Sequence, residues 1–141
     1  MSKNFYLDFE VRDYELDVYG VVNNAVYANY LEHARHSLLN AAGIDPVRMA
    51  REGQSLALAE ISLRFRSPLR SGERFRVDVS VEKLTGARFL MAQTIVRLPG
   101  LELVLEARVT AVFIDERGRP RRIRADIRQA LAPYLSPTSN G

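Results

Sequence analysis

The run Tyr14-Glu15-Leu16-Asp17-Val18-Tyr19-Gly20-Val21-Val22-Asn23-Asn24-Ala25-Val26-Tyr27-Ala28-Asn29-Tyr30 sets one carboxylate, Asp17, in a turn-like stretch just ahead of a helix. The first amides of a helix have no intrahelical partner, and the helix dipole puts partial positive charge at that end, so such an end can polarise a carbonyl oxygen. Gly20 lets the backbone come close to a ligand and tolerates positive φ, and Asn23 and Asn24 can each accept a bond from the free amides. A carboxylate beside an oxyanion site meets the demands of thioester hydrolysis. A thiol with a pKa of about 8.5 leaves as thiolate without a general acid, so histidine is not obligatory. In that chemistry Asp17 acts either as the nucleophile, through a mixed anhydride, or as the group that orients water, and the amides around Asn23 and Asn24 receive the charge on the oxygen. Spacing alone favours a plainer reading: Asp17 as a turn residue, the asparagines as ordinary caps, and Tyr27 and Tyr30 as core side chains at helical spacing.

Composition narrows the chemistry further. The chain has 141 residues, 47% hydrophobic and 26% charged, enough for one domain with a sizeable core. It contains no cysteine, which excludes disulfides, thiolate metal sites and a catalytic thiol, and only two histidines, His33 and His36, which disfavours a multi-histidine metal site. No metal and no bound cofactor are expected. No apolar run approaches the roughly 20 residues of a membrane span, and the expectation is a cytoplasmic protein without a membrane partner. The net charge of +3 conceals an asymmetry: residues 1–32 carry six acids against Lys3 and Arg12, and residues 117–141 carry six arginines against Asp126. Nucleic acid is a weak candidate partner, because the excess charge is modest and no aromatic stacking motif accompanies the arginines.

These residues need elements to position them. Strict alternation from Phe5 to Arg12 predicts a half-buried strand, a turn follows through Asp13 to Asn23, and the helix runs to about Gly43. Its apolar stripe is Tyr27, Tyr30, Leu31, Ala34, Leu38 and Ala41. Asp45-Pro46 opens a short helix through Glu52 and Gly53. The pattern then switches to period 2: Ala57, Ala59, Ile61, Leu63 and Phe65 alternate, Ser67 to Gly72 turns, and Phe75, Val77, Val79 and Val81 alternate again. Phe89–Val96 and Leu103–Phe113 make two more strands joined at Pro99-Gly100, and a short helix spans about Arg124 to Tyr134. The order predicts an α+β fold: strand, long helix, then four strands in hairpin succession, curved as one five-stranded antiparallel sheet around the central helix. Residues 1–135 are expected to form a single domain and 136–141 a flexible tail. A five-stranded sheet with exposed edges is expected to pair with a second copy, as a homodimer or homotetramer.

The pattern Asp17-x-x-Gly20-x-Val22-Asn23-Asn24-x-x-Tyr27, followed by Tyr30 and Glu32-His33-Ala34-Arg35, resembles the 4-hydroxybenzoyl-CoA thioesterase-like branch of the hotdog-fold superfamily. With Leu56-Ala57-Leu58-Ala59-Glu60 and Phe65-Arg66-Ser67-Pro68-Leu69-Arg70-Ser71-Gly72-Glu73, the chain is similar to the plant acyl-lipid, methylketone-synthase-type acyl-ACP thioesterases, from about Phe5 to Arg124. The resemblance implies a hotdog thioesterase acting on a fatty or β-ketoacyl thioester of acyl carrier protein or coenzyme A. An aromatic or polyketide acyl-CoA thioesterase and a non-catalytic acyl-binding module are the rivals. It implies Asp17 as the catalytic carboxylate and the amide at Asn24 as the carbonyl-polarising group, with Gly20, Asn23, Tyr27, Arg35, Glu60 and Arg70 on the substrate. Many relatives carry a histidine where this chain has Val21, so no imidazole role transfers. The plant proteins begin with a plastid-targeting extension; a first strand at Phe5 fits a bacterial protein or a mature form. A hotdog dehydratase would use a loop histidine, whereas both histidines here fall on the helix. Arg35 lies about 40° around the helix from Leu31, near its apolar face. The structural expectation there is an ion pair with Glu60 or Glu32, and the functional one is a contact to the substrate's carbonyl or to a polar group on its acyl chain. Glu60 is expected beside Leu56 and Leu58, opposite Ile61 and Leu63, where its role is either structural or an approach to Asp17 across a subunit interface. Arginines in the Ser67–Arg76 and Arg117–Arg128 regions suit the phosphates of coenzyme A or an acidic carrier protein.

Overall fold

The computed structural model describes residues 3–136. Strand β1 (Phe5–Glu10) leads through a 3-10 turn at Asp13–Glu15 to helix α1 (Asn24–Ala41) and the short helix α2 (Pro46–Arg51). Strands β2 (Ser55–Phe65), β3 (Arg74–Leu84), β4 (Arg88–Arg97) and β5 (Glu102–Ile114) follow, and helix α3 (Ala125–Leu131) runs into a 3-10 turn at Ala132–Tyr134. The α+β class, the long helix and the five antiparallel strands match the sequence expectation, and the arrangement is the hotdog fold. The C-terminal segment proposed as a tail lies from residue 137 outside the described residues, while the Ser136 amide donates to the Val81 carbonyl at 2.7 Å.

Helix α1 begins where Asn23 Oδ1 accepts from the Ala25 amide at 2.9 Å. It buries Tyr27, Tyr30, Leu31, Ala34 and Leu38, with Leu39 rather than Ala41 completing the stripe. That face packs on the inward side chains of the sheet, including Phe75, Val77, Phe89, Ile95, Val109 and Phe113, all nearly inaccessible to water. Burying a leucine or phenylalanine side chain contributes about 1.5–3 kcal/mol, so this single layer is the main source of cohesion between helix and sheet. At the other end the chain turns at Gly43, whose φ of +79° few other residues adopt, and α2 restarts with Asp45 Oδ1 accepting from the Val47 amide at 3.0 Å.

Two departures from the sequence reading concern β2. The sheet order is β1-β3-β4-β5-β2, so β2 pairs with β5 and not with β3, and only β3-β4-β5 follow in hairpin succession. The Ser67–Gly72 segment is therefore a crossover, carrying the chain from the β2 edge past the start of α1 to the far side of the sheet. The helix entrance anchors that path: the Val22 amide donates to the Leu69 carbonyl at 2.9 Å, which pins the crossover over the start of α1.

The second departure is a bulge between Leu58 and Glu60, with Ala59 as the extra residue. Leu56 and Leu58 stand opposite Phe113 and Ala111, and Ile61, Leu63 and Phe65 opposite Val109, Ala107 and Leu105, so all five share the helix-facing side. The bulge corrects the simple alternation of Ala57 and Ala59 with Ile61. It also moves Glu60 away from Leu56 and Leu58, to the outer face opposite Thr110, where it is exposed. Deleting Ala59 would restore plain alternation and turn either Leu56 and Leu58 or Ile61, Leu63 and Phe65 outward. Loss of one buried leucine equivalent, about 1.5–3 kcal/mol, is expected to lower the melting temperature by roughly 5 °C or more. A melt of the deletion variant that coincides with wild type would refute this account of the bulge.

Candidate active site

The approach to α1 is a small antiparallel loop. Leu16 and Val22 form one bridge, Asp17 donates its amide to the Val21 carbonyl at 2.8 Å, and the Gly20 amide returns to the Asp17 carbonyl at 3.1 Å. The loop closes because Gly20 adopts φ of +76°. A Cβ at Gly20 would meet nothing within 4 Å, so the position demands glycine for its backbone angle and not for close approach by a neighbouring group. At the tip, Asp17 Oδ1 accepts from the Tyr19 amide at 2.8 Å, which fixes the half-buried carboxylate and leaves its other oxygen for a ligand. Val18 and Tyr19 protrude, 93% and 82% exposed.

Two links hold this loop on the helix, and a third ties the crossover to the same helix end. The Asn23 amide donates to the Glu15 carbonyl at 2.9 Å, the buried Tyr30 hydroxyl donates to Glu15 Oε1 at 2.8 Å, and the Leu69 amide donates to the buried Tyr27 hydroxyl at 2.9 Å. Burial, reinforced by the bond to Glu15, pushes the Tyr30 phenol far above the ordinary tyrosine range, and burial also raises Tyr27, so both stay neutral. Asn24 is the first residue of α1, and its N–H faces outward from the helix end without an intrahelical partner. Val21 bridges to Arg70, which brings that exposed arginine alongside the Asp17 loop.

The structure thus gathers Asp17, Gly20, Asn23, Asn24, Tyr27 and Arg70 at the N-terminal end of α1. Tyr27 sits in the core with its hydroxyl engaged by the crossover, so it positions the loop from beneath. Arg35 lies toward the other end of α1. It forms no ion pair with Glu60 or Glu32 or any other carboxylate among the described residues; Nη1 donates instead to Gln93 Oε1 at 3.1 Å. The expected ion pair is absent because the bulge turns Glu60 outward and a neutral amide occupies the facing strand. Burial pulls the Arg35 pKa below its ordinary value, with Glu32 opposing.

Two contributors went unread in the sequence. Glu15, counted there only as one of the six early acids, anchors the loop, and the spacing Arg12-x-x-Glu15 is the one local signal, since Glu15 Oε1 accepts from the Arg12 amide at 2.9 Å as in a capping box. Gln93 was legible in principle, as a polar residue at an inward position between Met91 and Ile95. No cluster of histidine and acid side chains able to hold a metal ion occurs among the described residues, and none of their helices is long and apolar enough to cross a membrane.

Comparison with known proteins bears on the same segments. A family model described as the thioesterase-like superfamily matches residues 11–131. The chain is 44% identical over 135 residues to the chloroplastic acyl-acyl carrier protein thioesterase ATL3 of Arabidopsis thaliana, covering 96% of this chain and 71% of that protein. It is 31% identical over 107 residues to the long-chain acyl-CoA thioesterase FadM of Escherichia coli K12, covering 75% of this chain and 80% of that one. The crystal structure of Slr0204, a 1,4-dihydroxy-2-naphthoyl-CoA thioesterase from Synechocystis, superimposes with a TM-score of 0.85 over 92% of this chain and 96% of that chain; at 20% identity the likeness is one of fold.

Removing the Tyr30 hydroxyl isolates the clamp beneath the loop. Tyr30→Phe leaves Glu15 without its buried partner and is expected to cost about 1–2 kcal/mol. Amide exchange should quicken selectively at residues 15–23; a stability loss without faster exchange there would show that the bond does not hold the loop.

Proposed function

The chain belongs to the thioesterase-like superfamily of hotdog-fold thioester hydrolases, and from that membership we propose that it cleaves acyl thioesters of carrier protein or coenzyme A with Asp17 as the acting carboxylate. The observation that carries the assignment is the placement of Asp17: a carboxylate fixed by its own turn at the N-terminal end of α1, the end where unpaired amides and dipole favour negative charge. The thioester carbonyl oxygen lies against the Asn24 amide. The free oxygen of Asp17 either attacks the carbonyl carbon, giving a mixed anhydride that water hydrolyses, or takes a proton from water as that water attacks. In both routes the C–S bond breaks, the sulfur departs as thiolate, and the carboxylate is regenerated.

The exposed apolar residues support a site completed by a second copy. Strand β2 pairs only with β5, so its other edge is open, and Leu58 and Phe65 on its helix-facing side are 55% and 48% exposed. Antiparallel pairing of two β2 edges about a two-fold axis lays the Phe65 end of one copy beside the Leu58 end of the other. Phe65 packs on Tyr27, ring centroids 5.4 Å apart, so its end of the strand carries the Asp17 loop with it. The protruding Val18 and Tyr19 are then covered by the partner. Arg66, Arg76, Arg97, Arg108 and Arg124 are occupied by carboxylates, whereas Arg70, Arg117, Arg119, Arg121 and Arg122 form no ion pair among the described residues. The unpaired set suits phosphates or an acidic carrier.

Asp17→Asn should fold with an unchanged melting temperature and release thiol from acyl-CoA and acyl-ACP at least about 10²-fold more slowly than wild type. Near-normal release would sink the mechanism, and ¹⁸O found in Asp17 after single-turnover hydrolysis in ¹⁸O-water would establish an anhydride opened by water at the Asp17 carbonyl. Sedimentation should find a dimer or tetramer at micromolar concentration, and Leu58→Glu should shift it toward monomer with loss of turnover. A wild-type protein that sediments only as monomer would remove the composite site.

A further inference from the structure

Arg97 closes β4 opposite the buried Phe75 of β3 on one side and Glu102 of β5 on the other. Its side chain, 18% exposed, is the least exposed of the ion-paired arginines among the described residues. It reaches acceptors in three separate segments. Nη2 donates to the Pro68 carbonyl of the crossover at 2.5 Å, and Nη1 lies 3.0 Å from Glu102 Oε1. Nε lies 3.1 Å from Glu73 Oε2, an ion pair without hydrogen-bond alignment. A planar guanidinium can meet three acceptors in fixed directions, which an ammonium on a flexible stem does not do. The backbone beneath it is held as well: the Leu98 amide donates to the Arg74 carbonyl at 2.9 Å and the Leu101 amide to the Arg97 carbonyl at 2.7 Å.

The segment held in this way is the one that touches the start of α1. Pro68 precedes Leu69, whose amide donates to the Tyr27 hydroxyl and whose carbonyl accepts from the Val22 amide, both at 2.9 Å. Glu73 fixes the turn that follows: its Oε1 accepts from the Arg70 amide at 2.7 Å, and Arg70 bridges to Val21. The Val21 carbonyl in turn accepts from the Asp17 amide at 2.8 Å, and Asn23 and Asn24 follow Val22 directly. Burial does most to raise the Tyr27 phenol; Arg97 opposes that rise, and Glu73 and Asp17 add to it, so all three charges lie around one hydroxyl. The far side of the turn is tied independently, because the Gly72 amide donates to the Val11 carbonyl at 3.1 Å and the Val11 amide to the Glu73 carbonyl at 2.9 Å. Removing the guanidinium therefore keeps the turn attached to the end of β1 and loosens Pro68 to Arg70.

We propose that Arg97 is a positioning residue: through the Pro68 carbonyl and Glu73 it braces the crossover against Tyr27 and Val22, and so sets the Asp17 carboxylate and the Asn24 amide in register for thioester cleavage. The inference rests on the thioesterase reading above, which gives the chemistry to those two groups. Arg97 acts on them only through the crossover. A misplacement of about 1 Å between reacting groups costs on the order of 10²-fold in rate, so a brace of this kind is read in kcat.

The test compares thiol release from acyl-CoA and acyl-ACP by wild type, Arg97→Met, Arg97→Lys and Ile127→Val. Ile127 is buried in α3, where Arg128 Nη2 donates to the Thr85 carbonyl of the β3–β4 turn, at the opposite end of β4 from Arg97. Arg97→Met should lower kcat by about tenfold or more with KM within about twofold of wild type. Arg97→Lys, which keeps the charge without the fork, should recover only part of that loss, and it carries the comparison if Arg97→Met does not fold. Ile127→Val should lower the melting temperature and leave kcat as in wild type, which a purely structural role for Arg97 would also predict of Arg97→Met. Amide exchange should quicken in Arg97→Met at Val22, Leu69 and Arg70 and stay slow there in Ile127→Val. Wild-type kcat in Arg97→Met, an equal fall in Ile127→Val, or unchanged exchange at the three amides overturns the proposal. Exchange is independent of turnover: if wild type cleaves no thioester, faster exchange at those amides keeps the brace and removes only the thioesterase reading. Unchanged exchange, with thioesters cleaved normally by wild type, removes the role of Arg97 alone.

Discussion

Two buried phenol groups in the first turns of α1 govern the layout of this molecule. A hydroxyl taken from water must find a partner or cost about 1–3 kcal/mol, and the partners available to Tyr27 and Tyr30 are the crossover amide of Leu69 and the carboxylate of Glu15. Satisfying both draws two distant segments, the β2–β3 connection and the loop after β1, onto the same end of one helix. Asp17 belongs to the second of these segments, two residues beyond Glu15, and inherits its position from that anchorage. The carboxylate proposed to act is thus located by buried bonds beneath its loop.

Much of this was readable from residue types. Alternation gave β1, β3, β4 and β5, the three- and four-residue spacing gave α1, and Asn23 and Gly43 marked its ends. What escaped was whatever depends on pairing between distant segments. Nothing in the run Leu56 to Phe65 distinguishes a strand that meets β3 from one that meets β5, because both partners offer an inward row of the same apolar residues. The bulge at Ala59 was equally silent, since a small apolar residue fits regular alternation as well as it fits an insertion. That one residue decided the side of the sheet occupied by Glu60, and with it the absence of an acid opposite Arg35.

The candidate site divides along the same line. Asp17, Gly20 and Asn23 are local features, where a turn and a cap are written in consecutive residues, and the structure gives each a specific bond or backbone angle. The bond from Glu15 to Tyr30 and the bond from Arg35 to Gln93 join residues fifteen and fifty-eight positions apart. Only the polar interruption at Gln93 in an otherwise apolar inward row hinted at the second of these. A buried amide there has little value to packing, and both of its ends are satisfied: the oxygen accepts from Arg35 Nη1, and Nε2 donates to the Leu31 carbonyl.

The chemistry asked of such a site explains why it can be so sparsely furnished. A thiol leaves unaided at neutral pH, so a thioesterase needs one carboxylate and one oxyanion donor where an amidase needs a nucleophile, a base and an acid. A chain with no cysteine and no loop histidine is compatible with the first demand. The consequence reaches the rest of the fold. Because the groups proposed to react come from one turn and one helix end, the remainder of α1 carries no demand from that chemistry and is free to serve packing against the sheet.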